Sequence, residues 1–230
     1  MNDNQDARLA AVASIHDPLR RALFDLISAS GTAIGRDEAA QSLGMARATA
    51  AFHLDRLVDD GVLTVEFKRL SGKTGPGSGR PAKLYRRASD ELLVSIPERH
   101  YDLAGSVLAS SIEEADRTGE PARQALARVA TERGRELGRR AGTLQNALIA
   151  GGYEPQEAAD GGTILANCPF HSLAMTHTDV ICDANVNLLR GVAEGAGDTE
   201  NEIVFDPCDG QCCVRIAPRD TAMNPDATAT

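Results

Sequence analysis

Between residues 17 and 30 the apolar side chains Leu19, Leu23, Leu26 and Ile27 recur at helical spacing. Asp17 is placed to cap that helix, Pro18 suits its first position and Gly31 ends it. The pattern predicts a short second helix over 36–43, closed by Gly44. A third is predicted over 46–60, with Ala50, Leu54, Leu57 and Val58 on one face and Gly61 beyond. Strand-like segments follow at 62–69 and 82–87, around a tip at 71–81 rich in Gly, Pro and Ser. Two short helices joined by a tight linker and followed by a hairpin spell a helix-turn-helix with a β wing.

The pattern then changes. Residues 95–119 read as a helix opening at Pro97, with Tyr101, Ala104, Val107, Leu108, Ile112 and Ala115 as its apolar positions. Residues 121–151 read as another, with Leu126, Ala130, Leu137, Ala141, Leu144 and Leu148 near one face. A strand at 162–167, a helix over 171–194 and strands at 202–206 and 213–217 complete an α+β fold class. The expected division is a loose N-terminus at 1–13, a winged-helix domain at 14–90 and connecting or dimerisation helices at 91–151. A cysteine-containing domain at 152–217 and a loose tail at 218–230 follow.

Hydrophobic residues are 42% and charged residues 25% of the 230, proportions that exclude collagen-like and wholly disordered chains. The polar, acidic N-terminus and the lack of any long apolar run predict a soluble, cytoplasmic protein with no membrane partner. Aromatic residues are only 3% and Trp is absent, which argues against a stacking platform for single strands and leaves double-stranded DNA open. The net charge of -9 is unevenly spread. Residues 67–87 hold Lys68, Arg69, Lys73, Arg80, Lys83, Arg86 and Arg87 without one carboxylate, so a phosphate-binding patch can exist on an acidic chain.

The stretch LGMARATAAFHLDRLVDDGVLTVEFKRLSGKTGPGSGRPAKLYRRA resembles the winged-helix transcriptional regulators of the ArsR-like class, most clearly in FHLDRLVDDGVL and GRPAKLYR. The likeness covers roughly residues 14–90. With Leu54 central on the buried face of the third helix, Thr49, Phe52, His53 and Arg56 fall on or near the opposite side, where they suit readout of a major groove. Arg47 lies at the helix start and suits the DNA backbone. Lys68, Arg69, Lys73, Arg80, Lys83 and Arg86 supply the wing contacts. The plainer alternatives are a solvated hairpin and a Phe52 packed on the wing or a partner subunit.

The five cysteines, Cys168, Cys182, Cys208, Cys212 and Cys213, all lie in the last part of the chain, within NCPFHSLAMTHTDVICDANVNLL and DPCDGQCCVRI. Their spacing is not that of a zinc ribbon, but three separate elements can bring four thiolates together, the number an iron-sulfur cluster takes. Strand alternation would turn Cys212 and Cys213 to opposite sides, leaving one as ligand unless the turn extends to both. NCPF and the late cysteine hairpin look like the sensor domain of the Suf-type iron-sulfur biogenesis repressors. That resemblance implies a ligand role for Cys168, Cys182 and either Cys212 or Cys213. His171 and His177 can replace a thiolate, and a mixed shell would favour zinc or a Rieske-like centre. As alternatives, the cysteines are buried apolar residues or a metal-free thiol switch. A Cys168 nucleophile with His171 or His177 as base lacks an orienting third group, so no enzyme is expected.

The expectation is therefore a homodimeric regulator of double-stranded DNA whose cysteines bind an iron-sulfur cluster or a metal. The competing reading is a winged-helix regulator that answers a small organic effector, its cysteines structural or redox-sensing.

Overall fold

The computed structural model describes residues 3–69, 81–88, 91–208 and 210–219. The wing tip with Lys73 and Arg80, and the expected tail from residue 220 onward, lie outside them. The fold is α+β and the chain forms two compact units, Met1–Val94 and Ser95–Thr230.

The first unit opens with α1 (Asp3–Ile15), where the apolar pattern predicts a loose end. The apolar residues of α1 do not gather on one face, so periodicity misses it; packing holds it instead, with Ala11 and Ser14 buried and Ile15 against the core. Helix α2 (Pro18–Ser30) has the predicted punctuation. Asp17 Oδ1 accepts the amides of Leu19 and Arg20, both at 3.0 Å, and Gly31 takes the left-handed conformation at φ 65°. A two-residue strand β1 (Ile34–Gly35), too short to leave a pattern, leads into α3 (Arg36–Ser42), and α4 (Arg47–Asp59) follows after residues 43–46. Ala46 is the N-cap of α4 and has no side chain with which to cap it.

Strands β2 (Leu63–Lys68) and β3 (Ala82–Arg87) pair antiparallel, and the sheet order is β1-β3-β2. Tyr85 stands at its centre, opposite both Ile34 and Val65, and is wholly buried among Leu23, Leu54, Leu57 and Leu63. Its hydroxyl donates to Asp55 Oδ1 at 2.7 Å, which fixes α4 against the sheet.

In the second unit α5 (Tyr101–Thr118), α6 (Ala122–Ala141) and α7 (Leu144–Ala150), which fall in the expected connecting or dimerisation segment 91–151, share one core with the elements that follow. The predicted helix at 121–151 is broken at Gly142, whose φ of 77° ends α6, and Thr143 starts α7 by accepting the Asn146 amide at 3.1 Å. Likewise the predicted helix at 171–194 is two, α8 (His171–Thr176) and α9 (Thr178–Gly195), separated at His177 with its non-helical ψ of 47°.

Strands β4 (Pro155–Glu157), β5 (Thr163–Leu165), β6 (Asn201–Phe205) and β7 (Val214–Pro218) form an antiparallel sheet of order β4-β5-β7-β6. Helix α9 lies between this sheet and α6, which explains why nine of its residues are buried. On the α6 side Gly134 and Gly138 meet Gly191 and Gly195 with the helix backbones in direct contact.

Candidate functional site

Four of the five cysteines converge in the second unit. Cys168 follows β5, Cys182 lies in the second turn of α9, and Cys212 and Cys213 occupy the turn before β7. The Cys168 thiol meets that of Cys212, Cys212 meets Cys213, and Cys213 meets Cys182. Cys182 also feels Cys168 and Cys212. No three His, Cys, Asp or Glu side chains among the described residues are arranged to hold one metal ion.

Strand alternation does not govern Cys212 and Cys213, because β7 begins only at Val214 and the turn extends to both. In the preceding turn both thiols reach the group, and the Cys212 amide donates to Leu165 O at 2.9 Å to hold that turn against β5. Cys208, by contrast, is exposed, and so are His171 and His177. The structure therefore gathers Cys168, Cys182, Cys212 and Cys213 and leaves those three outside. All five cysteines are free of disulfides.

The thiols hold their protons firmly. Hydrogen bonding to Cys212 and then burial raise the Cys168 thiol far above its ordinary range. The neighbouring Cys168 pulls Cys212 down, but Cys213 and burial outweigh it and push Cys212 up to about 11. Burial raises Cys182 as well, against the opposing contact from Cys213. Without a positive centre among them these groups are neutral at pH 7, so they are poor nucleophiles.

A polar layer that the apolar pattern does not reveal supports the cysteines. Asn167, almost fully buried, donates through Nδ2 to Gly152 O at 2.6 Å and Glu98 O at 3.0 Å. Arg99 donates to Asn167 Oδ1 and, at 3.3 Å, to Cys168 O. The His100 amide donates to Pro169 O at 3.1 Å, so residues 98–100 strap the Cys168 segment in place. Below the group Asn185 Nδ2 donates to Cys212 Sγ at 3.3 Å, and the Tyr153 hydroxyl donates to Asn185 Oδ1. Burial and then the nearby Cys212, Cys168 and Cys213 keep that phenol protonated. An Asn directly before Cys168, and another three residues after Cys182, are the signals of this layer in the sequence.

In the first unit Arg47, Phe52 and Arg56 are exposed on α4, Phe52 with 67% of its surface open, and Thr49 is half-buried. His53 is also half-buried and lies near the α2 cap Asp17, which removes it from the open face expected for it. Arg47 pairs with Asp37, and Arg56 with Asp60 at 3.0 Å. Lys83 turns inward to Asp55, joining β3 to α4 together with Tyr85. Lys68, Arg69 and Arg86 are exposed. The Arg47 pair is solvent-facing and worth little, so a phosphate can displace its partner; Asp60, the partner of Arg56, is largely buried, and Lys83 shares its acceptor with a buried tyrosine.

Compared with known proteins, the chain matches no family model, no curated protein and no solved structure. No helix among the described residues is long and apolar enough to cross a membrane.

Proposed function

We propose that this chain is a DNA-binding transcriptional regulator, acting as a homodimer in the cytoplasm, whose second unit senses the presence of an iron-sulfur cluster held by Cys168, Cys182, Cys212 and Cys213. The observation that carries the reading is the convergence of four free thiols, from three separate elements, in a unit that follows helices α3 and α4 and the antiparallel pair β2–β3. The donor set suits the group. It is all sulfur, and its thiols await a charge that would stabilise them as thiolates.

Four thiols are a donor set that a cluster and a single zinc ion both accept. Zinc needs four ligands at about 2.0–2.3 Å from one point. A cluster takes its thiolates at separate irons. A bound cluster would supply a charge and a redox state to which the unit responds. The chain's own residues hold the ligands: Arg99 and Asn167 fix the Cys168 segment, α9 carries Cys182, and the pairing of the Cys212 amide with Leu165 fixes the last two. Within the second unit a small organic effector is less well served, since the apolar cavity lined by α5, α6 and α9 measures only about 20 Å³. Organic ligands usually occupy roughly 300–1,000 Å³.

On the DNA side, α4 is the element for the major groove, and Lys68, Arg69 and Arg86 are positioned for phosphates. Lys73 and Arg80 extend the same basic run in sequence. Two copies related by a two-fold axis would read an inverted repeat. Exposed Val12, Leu19 and Leu93 give the first unit apolar surface for such pairing.

Anaerobic purification followed by iron, sulfide and zinc analysis tests the reading, together with binding to promoter fragments from the protein's own genome. A brown protein with iron and sulfide in similar amounts and salt-sensitive DNA binding is expected. A colourless protein that takes up neither iron nor sulfide on reconstitution, or one that binds no such fragment, overturns the corresponding half.

A further inference from the structure

Asn185 is 1% exposed and Tyr153 is 5% exposed, and their side-chain hydrogen bonds join them to each other and to Cys212. A buried amide is costly to keep, so its place beside a sulfur needs a reason. The two neutral partners leave its orientation open in principle, because a phenol and a thiol can each donate or accept. A thiolate removes that freedom. It can only accept, so the Asn185 N–H must face Cys212 and the Tyr153 hydroxyl must donate to Oδ1, the arrangement observed.

We propose that Asn185, held by Tyr153, is a positioning residue of the cysteine centre that fixes the Cys212 sulfur and raises the electron affinity of whatever redox group that sulfur holds. This rests on reading the centre as a cluster site. The physical reason is simple: on one-electron reduction, the added negative charge spreads onto the ligating sulfurs. An N–H directed at one of them stabilises the reduced form more than the oxidised form. Tyr153 acts one step further out. By occupying Oδ1 it prevents the amide from turning its oxygen toward the sulfur.

The test uses the full chain, reconstituted anaerobically with iron and sulfide, as wild type, Asn185→Leu, Tyr153→Phe and the double variant. Removing both partners together leaves no buried polar orphan, so the double variant is the one expected to keep wild-type stability. Each protein is analysed for iron and sulfide, then titrated with dithionite, which supplies the one electron, while the visible sulfur-to-iron absorption is followed. The midpoint potential is expected to move negative in Asn185→Leu and in the double variant, and by less in Tyr153→Phe. The absorption band is expected to shift with it at unchanged iron content. Loss of iron from a double variant that melts like wild type also supports the proposal, since only the amide beside Cys212 and its anchor have gone. A double variant with wild-type iron, absorption and potential overturns it and leaves Asn185 as a partner for Tyr153 alone. If the wild type takes up neither iron nor sulfide, the cluster reading itself has failed, and the proposal falls with it.

Discussion

Gly134 of α6 and Gly191 of α9 touch backbone to backbone: a Cβ on Gly134 would strike the carbonyl of Leu188, and one on Gly191 the carbonyl of Thr131. Gly138 and Gly195 repeat the relationship one turn further on. Close approach of this kind leaves no room for adjustment, because the obstructing atoms are backbone. It sets the position of α9, and so of Cys182 and Asn185, relative to the rest of the unit.

Gly134→Ala and Gly191→Ala should therefore each destabilise the second unit by about 1–3 kcal/mol or more, despite the better helix propensity of Ala. Gly105→Ala supplies the contrast. It lies inside α5, where a Cβ would find no other atom within 4 Å, so it should stabilise by about 1 kcal/mol. Urea unfolding of the three variants checks both signs, and a Gly134→Ala protein as stable as wild type would show that the helices can separate freely.

Each of Cys168→Ser, Cys182→Ser, Cys212→Ser and Cys213→Ser should lower iron content and alter operator affinity, whereas Cys208→Ser should do neither. The equal standing of Cys212 and Cys213 is the sharper part, since both lie in the turn and each meets a different partner thiol. Iron analysis of the five reconstituted variants decides it, and a Cys213→Ser protein with full iron would exclude Cys213 from the ligand set.

Much of the fold is legible along the chain, and the exceptions share a cause. The Asp17, Pro18 and Gly31 punctuation places α2 within a residue, because capping is local chemistry. Strand alternation cannot choose between Cys212 and Cys213 because a period of two applies only inside a strand, and β7 starts at Val214, one residue later than the pattern predicts. Asn185 leaves no trace in the apolar pattern: a polar residue inside a buried helix looks like an interruption until its partners on other elements are known. Gly134, Gly138, Gly191 and Gly195 do carry a usable signal, small residues four apart on two helices. The helix α1 carries none, since its support comes from contacts with α2 and α4.

The cysteines also set a pH limit on the cluster-free protein. The ordinary thiol value is 9.0 and that of Cys212 in the fold is about 11, so the folded chain binds this proton more tightly than the unfolded chain does. Its contribution is complete below about pH 9 and is lost as pH rises toward 11, amounting to about 2–3 kcal/mol from this one group. Cys168 and Cys182 are shifted the same way and add to the loss. Thermal melts of the iron-free protein should fall steeply between about pH 8 and roughly pH 11. The drop should be smaller in Cys212→Ser, and a melting temperature flat across that window would contradict the buried, proton-holding thiols.

On the proposed DNA-binding reading, basic residues of equal charge should behave differently. Lys68, Arg69 and Arg86 are exposed, whereas Lys83 is held by Asp55 beside the hydroxyl of the buried Tyr85. A cation that contacts phosphate releases counterions on binding, so its removal weakens all sequences alike and lowers the slope of log K against log salt by about one. Lys68→Ala and Arg86→Ala should do this with little change in stability. Lys83→Ala should behave differently: it leaves Asp55 with Tyr85 as its remaining partner and loosens the tie between α4 and β3, lowering the stability of the first unit by about 1 kcal/mol. Its effect on the salt slope should be smaller than that of Lys68→Ala. Arg56→Ala, on the open side of α4, should instead relax preference among operator sequences. Anisotropy titrations at several salt concentrations, with urea unfolding of the same four proteins, give both readouts. Equal slope changes for Lys68→Ala and Lys83→Ala, with no loss of stability in the latter, would show that Lys83 leaves Asp55 for the DNA.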